Sequence, residues 1–118
     1  MKIALADNCG MKFCRDVYDH WSKGHEVRYE RGASEFLAQW ADLYYVDTWD
    51  NNIHYLYKLY HGLHDDMPAD WDNTKIPKIV VRILDWEAWI GMVRDQSIID
   101  WVDQAICIAP HIEHKLRS

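Results

Sequence analysis

Short runs of β-branched and aromatic residues alternate along this chain with stretches whose apolar residues recur at helical spacing, and that alternation restricts the fold more than any other feature. Lys2 to Asp7 carries Ile3 and Leu5 and is too brief for a helix. Behind it Met11, Cys14, Val17, Tyr18 and Trp21 lie on one helical face, which Gly24 is placed to close as a left-handed cap. Glu26 to Glu30 alternates as a strand does, and Ser34 stands where it would cap a short helix bearing Phe36, Leu37 and Trp40. Leu43 to Val46 reads as a third strand. Ile53, Leu56, Tyr57, Tyr60 and Leu63 follow with helical spacing, and Gly62 weakens the end of that helix.

Residues 64–77 contain Pro68 and Pro77 among acidic and amide side chains, the composition of a long connecting loop. Ile79 to Leu84 is the most strand-like run, and Trp86 to Val93 behind it is helical. Ser97 followed by Asp100 resembles a capping box for a brief helix. Ala105 to Ala109 supplies the fifth strand and His111 to Arg117 a last helix. Strands alternating with helices in this way predict parallel βαβ units with right-handed crossovers. The expected fold is α/β: a three-layer α/β/α Rossmann-like sandwich with a five-stranded parallel sheet in the order 3-2-1-4-5. Residues 1–118 then form one domain, since 118 residues with 49% hydrophobic content can bury a core without disulfides or a metal.

Charge narrows the partners. Thirteen Lys and Arg stand against nineteen Asp and Glu, a formal net charge of −6, with no basic cluster. Nucleic acid and anionic membranes are therefore poor partners, because the counterion-releasing patch they need is missing. The three cysteines, Cys9, Cys14 and Cys107, match neither a disulfide framework nor a paired zinc motif, which points to a reducing compartment. The opening runs straight into a strand, and no apolar run approaches the roughly 18 residues of a membrane span. A cytoplasmic chain with no transmembrane segment is the expectation.

In open parallel sheets ligands bind beyond the carboxyl ends of the strands, where the strand order reverses. That rule selects Asp7, Asn8 and Gly10 after the first strand, Glu30 after the second, and Asp47 and Thr48 after the third. After the fourth and fifth come Arg82, Asp85, Glu87, Pro110 and His111. Asn8-Cys9-Gly10 sits where a dinucleotide fold shows its glycine fingerprint, but one glycine cannot make room for a pyrophosphate, so no NAD or other cofactor is expected. Arg82, Asp85 and Glu87 terminate an apolar strand with charge, which suits a cleft; Asp85 and Glu87 could equally complement the N-terminus of the following helix. His61 with His64, and His111 with His114, have a spacing that can place two ligands on one helical side. Neither pair has a third ligand nearby, so surface histidines are the plainer reading and no metal is expected. Seven Trp and seven Tyr are numerous; Trp49, Trp71, Trp86 and Trp89 fall outside the helical periodicity, where flat rings could pack loops or stack on a sugar.

Taken in order, the opening MKIAL, the turn in SKGHEVRYE, the strand in WADLYYVD, the run KIVVRILDWEAW and the ending IDWVDQAICIAPHIEHKL resemble the N-terminal, acceptor-side domain of GT-B glycosyltransferases, especially the retaining group that includes the GT4 family. The resemblance spans nearly the whole chain. It implies a sugar or glycolipid acceptor bound by this domain, and a nucleotide-sugar bound by a C-terminal domain or subunit that is not in these 118 residues. It further implies that Asp85 and Glu87 contribute catalytic contacts, that Asn8, Gly10, Asp47, Arg82 and His111 bind acceptor, and that the chain alone is inactive. Leu84 replaces a histidine carried by many relatives, and the first loop lacks their paired glycines. A receiver-like signalling domain is the competing class, with Asp47 as the phosphoacceptor after the third strand. That class expects an acidic pair where only Asp7 stands, and a Lys-Pro where this chain has Ala109-Pro110. A binding-only or engineered α/β domain is the third possibility.

Overall fold

The computed structural model describes residues 1–47, 49, 51–72, 74–83 and 96–107. The elements run in the order β1 (Lys2–Ala6), α1 (Arg15–Trp21), β2 (Glu26–Glu30), α2 (Glu35–Trp40), β3 (Leu43–Asp47), α3 (Asn51–Tyr60), β4 (Lys78–Ile83), α4 (Gln96–Trp101) and β5 (Gln104–Cys107). The expected α/β architecture is present, with all five of these strands parallel in one sheet. The helices expected over residues 86–93 and 111–117 lie outside the described residues.

The strand order corrects the expectation: it is β2-β1-β3-β4-β5, not 3-2-1-4-5. Burial explains why. In β3 the residues Tyr44, Tyr45, Val46 and Asp47 are all buried, so both faces of that strand are covered. β2 reads Glu-Val-Arg-Tyr-Glu, and its charged residues are tolerable only where one flank meets water. The apolar strand therefore takes the centre and the charged one the edge. Winding reverses between β1 and β3, and that pair becomes the switch point.

Side chains alternate across the sheet to build two cores. Ala4, Ala6, Tyr44, Val46, Ile79, Val81 and Ile83 pack with Leu37 and Ala38 of α2, with Ile53, Leu56 and Leu59 of α3, and with Ile98 of α4. On the opposite face Ile3, Leu5, Tyr45 and Val80 meet Cys14 and the α1 residues Val17, Tyr18 and Trp21. Helices thus cover both faces, which makes the three layers.

Several local expectations hold and others shift. Ser34 caps α2, its Oγ accepting from the Leu37 N–H at 3.2 Å. Gly24 is not the left-handed cap of α1; that helix closes at Ser22 in the right-handed region, with the N–H groups of Gly24 and His25 donating to the Trp21 carbonyl. The left-handed stop falls instead at Gly62, φ 69°, where Leu63 N–H reaches back to the Lys58 carbonyl at 2.8 Å and ends α3. Ser97 does not cap α4, since it lies within the first turn that begins at Gln96. Nor does α1 begin at Met11; the backbone from Asp7 to Cys14 is a folded loop whose cause lies in the site.

Candidate functional site

Register brings three charged residues level at the carboxyl edge of the sheet. Ala6 is opposite Val46 in the β1–β3 ladder, so Asp7 follows at the height of Asp47, and Asp47 is opposite Arg82 in the β3–β4 ladder. A row of acid, acid and base therefore crosses the switch point. Both acids are fully buried. A buried carboxylate needs partners, and each finds different ones.

Asp7 is held by backbone. Its Oδ1 accepts from Cys9 N–H at 2.9 Å, and its Oδ2 accepts from Phe13 N–H at 2.9 Å and Cys14 N–H at 3.2 Å. The β1–α1 loop is folded around that side chain, whose Oδ2 takes the two N–H groups just before α1. Gly10 and Met11 take left-handed backbone at φ 67° and 68° to make the tight turn. Arg31 closes the loop from the β2 side, donating from Nε to the Asn8 carbonyl at 3.0 Å. Asn52, almost completely buried at the start of α3, accepts from Ala33 N–H and donates to the Arg31 carbonyl, so the β2–α2 loop is fixed as well.

Replacing Gly10 with alanine is expected to cost about 1 kcal/mol through backbone strain, because the added Cβ would meet only the Arg31 guanidinium, 3.5 Å away, at ordinary contact distance. Chemical denaturation measures that loss.

Asp47 is held by Arg82. The guanidinium donates from Nη2 to Oδ2 at 2.7 Å and from Nε to Oδ1 at 3.3 Å, a two-point grip. Nη2 also donates to the Phe13 carbonyl, and Nη1 reaches Asp16 Oδ2 at 3.3 Å. The guanidinium lies 5.8 Å from the Tyr45 ring centroid, which closes it in from the core side. Burial pushes the Asp47 carboxyl above the usual carboxylate range, against the opposing pull of Arg82, and the neighbouring charge of Asp7 adds to the rise. Burial works against the charge of Arg82 too, but its bonds to Asp47 outweigh that and raise its pKa. At Asp16 burial works against the charge, but the hydrogen bond and charge of Arg82 together with backbone N–H groups outweigh it, and its pKa falls. The Asp16 side chain is 71% exposed, so this arm of the guanidinium faces solvent while the Asp47 arm does not.

The expected site residues are thus distributed unevenly. Asp7, Asn8, Gly10, Asp47 and Arg82 come together at one rim. Asp85, Glu87, His111, Thr48 and Pro110 lie outside the described residues. Glu30 sits at the end of edge strand β2, where its carboxylate accepts from the Ser34 hydroxyl. His61 stacks on Tyr57 at 4.1 Å and His64 meets the edge of Tyr55 at 5.2 Å, ring-packing roles at the far end of α3. Among the described residues no group of three or more His, Cys, Asp or Glu is placed to hold a metal. Asp16 and Arg31 are rim residues that strand-end reasoning misses, since one is on a helix and the other one position past β2.

Cys14 at the loop's end is buried, and burial, followed by the charges of Asp7 and Asp47, pushes its thiol up to about 12. It is therefore a packing residue and not a nucleophile. Brief iodoacetamide treatment of the native chain, followed by peptide mapping, is expected to label exposed Cys9 and leave Cys14 unmodified.

No family model, curated protein or solved structure matches this chain. Among the described residues no helix is long and apolar enough to cross a membrane.

Proposed function

We propose that this chain is the acceptor-binding half of a glycosyltransferase of GT-B type, acting in the cytoplasm on a sugar or glycolipid acceptor. A nucleotide-sugar donor is held by a C-terminal domain or partner polypeptide. The observation that carries the reading is the fixed guanidinium of Arg82 at the carboxyl rim of the two central strands, where open α/β sheets bind ligands. Asp47 orients it from beneath, and the exposed Asp16 arm can yield to an incoming hydroxyl or phosphate oxygen. Asn8 and Gly10 lie on the exposed turn beside it and belong to the acceptor-binding set of this reading. Asp85, Glu87 and His111 complete the set by resemblance, the two acids as catalytic groups. In this reading Asp47 serves the acceptor indirectly, through Arg82.

The test is to incubate the pure chain, alone and with the polypeptide encoded by the downstream reading frame, with labelled UDP- and GDP-sugars and a panel of sugar and lipid acceptors. The chain alone is expected to bind no nucleotide and transfer nothing, and the combination to transfer. Tight nucleotide binding or transfer by the chain alone contradicts the reading.

One observation favours the receiver reading: the order β2-β1-β3-β4-β5 is the flavodoxin-like one that receivers also use, with Asp47 ending β3. Against it, Asp47 has no exposed surface and both of its oxygens accept from Arg82, while Asp7 is occupied by backbone N–H groups. Acetyl phosphate with Mg2+ should leave the mass of the chain unchanged; a gain abolished by Asp47→Asn would favour the receiver instead.

A further inference from the structure

A second feature lies away from the rim. The flank of α2 and the segment around Pro68 to Trp71 enclose an open groove of about 380 Å³, lined by Glu35, Phe36 and Trp40 on one side and Asp70 and Trp71 on the other. That volume is within the range of small-ligand clefts. Its walls are fixed. Gln39 exchanges two hydrogen bonds with the backbone of Asp72, accepting from its N–H at 3.0 Å and donating to its carbonyl at 3.4 Å. Lys75 donates to the Trp40 carbonyl at 3.1 Å. Trp71 packs on Tyr60 with centroids 5.7 Å apart, and Tyr60 is tied to the Ala38 carbonyl at 2.7 Å. Trp40 and Trp71 thus line a cleft whose backbone walls are tied together, with Phe36, 66% exposed, beside them.

The chemistry of the lining selects the ligand. Glu35 and Asp70 place two carboxylates in the lining, and neither has an ion pair among the described residues, so both can accept from hydroxyl donors. A ligand cation would also suit aromatic rings beside carboxylates, but that role is already filled from within the protein. The Arg28 guanidinium lies 4.7 Å from the Trp40 centroid and 5.7 Å from the Phe36 centroid, and Lys2 Nζ is 6.0 Å from Trp40. A further cation would meet those charges. A neutral ring with apolar faces and equatorial hydroxyls meets no such opposition: its C–H faces lie on the aromatics and its hydroxyls donate to the carboxylates.

We propose that this groove is a binding site for a neutral pyranose, separate from the rim around Arg82 and independent of the transferase reading. Ligand-observed saturation-transfer NMR and calorimetry of the 118-residue chain with maltotetraose, cellotetraose and chitotetraose test it. Saturable binding to at least one of them is expected, with a Kd on the order of 1 mM. Phe36→Ala, at an exposed position that leaves the fold intact, and Trp71→Ala should each weaken it about fivefold or more, as loss of a stacking ring does. Glu35→Gln should weaken it less, and Lys12→Ala, at a residue that does not line the groove, should leave it unchanged. Absence of saturation up to about 20 mM with all three sugars overturns the proposal. Sugar binding indifferent to Phe36→Ala overturns it too, as does tetramethylammonium binding that Phe36→Ala and Trp71→Ala abolish.

Discussion

Asp7→Ala is expected to destabilise the chain by about 3–5 kcal/mol. The carboxylate is fully buried and accepts from three backbone N–H groups, those of Cys9, Phe13 and Cys14. A hydrogen bond to a charged group contributes about 1.5–3 kcal/mol, and a buried donor left without a partner loses more than the bond itself. Cys9 is exposed, so water replaces part of what its N–H loses, whereas Cys14 is buried and has no such recourse. The sum is therefore smaller than three full bonds. Hydrogen exchange at the Phe13 and Cys14 amides should accelerate together, since one side chain anchors both. Because the loop carries Asn8 and Gly10 and supplies the Phe13 carbonyl to Arg82, the same substitution loosens the guanidinium.

Arg82→Met is expected to cost about 3–5 kcal/mol at neutral pH, for the opposite reason: it leaves a carboxylate without its cation where there is no water to take over. Adding Asp47→Leu should recover most of that loss, and the double-mutant cycle then reports a large coupling between the two. The pH dependence has a definite sign. In the folded Arg82→Met chain Asp47 binds its proton more tightly than in the unfolded chain, since burial already raises its carboxyl and the lowering influence of Arg82 is gone. The native state then holds the extra proton between the unfolded and folded values, so the deficit shrinks as pH falls through the raised pKa and is full above it. Urea denaturation of the two single variants and the double variant, at neutral and mildly acidic pH, measures both effects.

The element types were legible because the periodicities were strong: two cores with alternating strand residues need the pattern this chain carries in LYYVD and KIVVRI. Strand order was harder. Right-handed crossovers are satisfied by both 3-2-1-4-5 and 2-1-3-4-5, and what separates them is which strand can bear an edge. The charges in EVRYE, against a third strand apolar on both faces, contained that information. Gly24 does not cap α1 and Gly62 does stop α3, because a glycine near a helix end does not by itself specify where the left-handed residue falls. At the rim, the choice of Arg82 and Asp47 followed from their position at strand ends, but their pairing did not: the residues are 35 apart, and only the register of two parallel strands brings them level. Asp7 carried a local signal, an aspartate three residues before Gly10, which is the composition of a side-chain-anchored turn. Arg31 and Asp16 carried none, because their roles depend on where neighbouring loops end.

The proposed role of Arg82 is measured most directly by sugar transfer when this chain is combined with the polypeptide encoded downstream, compared between the native sequence and Arg82→Lys, with circular dichroism confirming that both are folded. Lysine keeps the charge but not the two-point grip on Asp47 that aims the guanidinium. Transfer is expected to fall at least about tenfold, with nucleotide-sugar affinity unchanged. Undiminished transfer by folded Arg82→Lys would contradict that role and move the site away from the carboxyl rim.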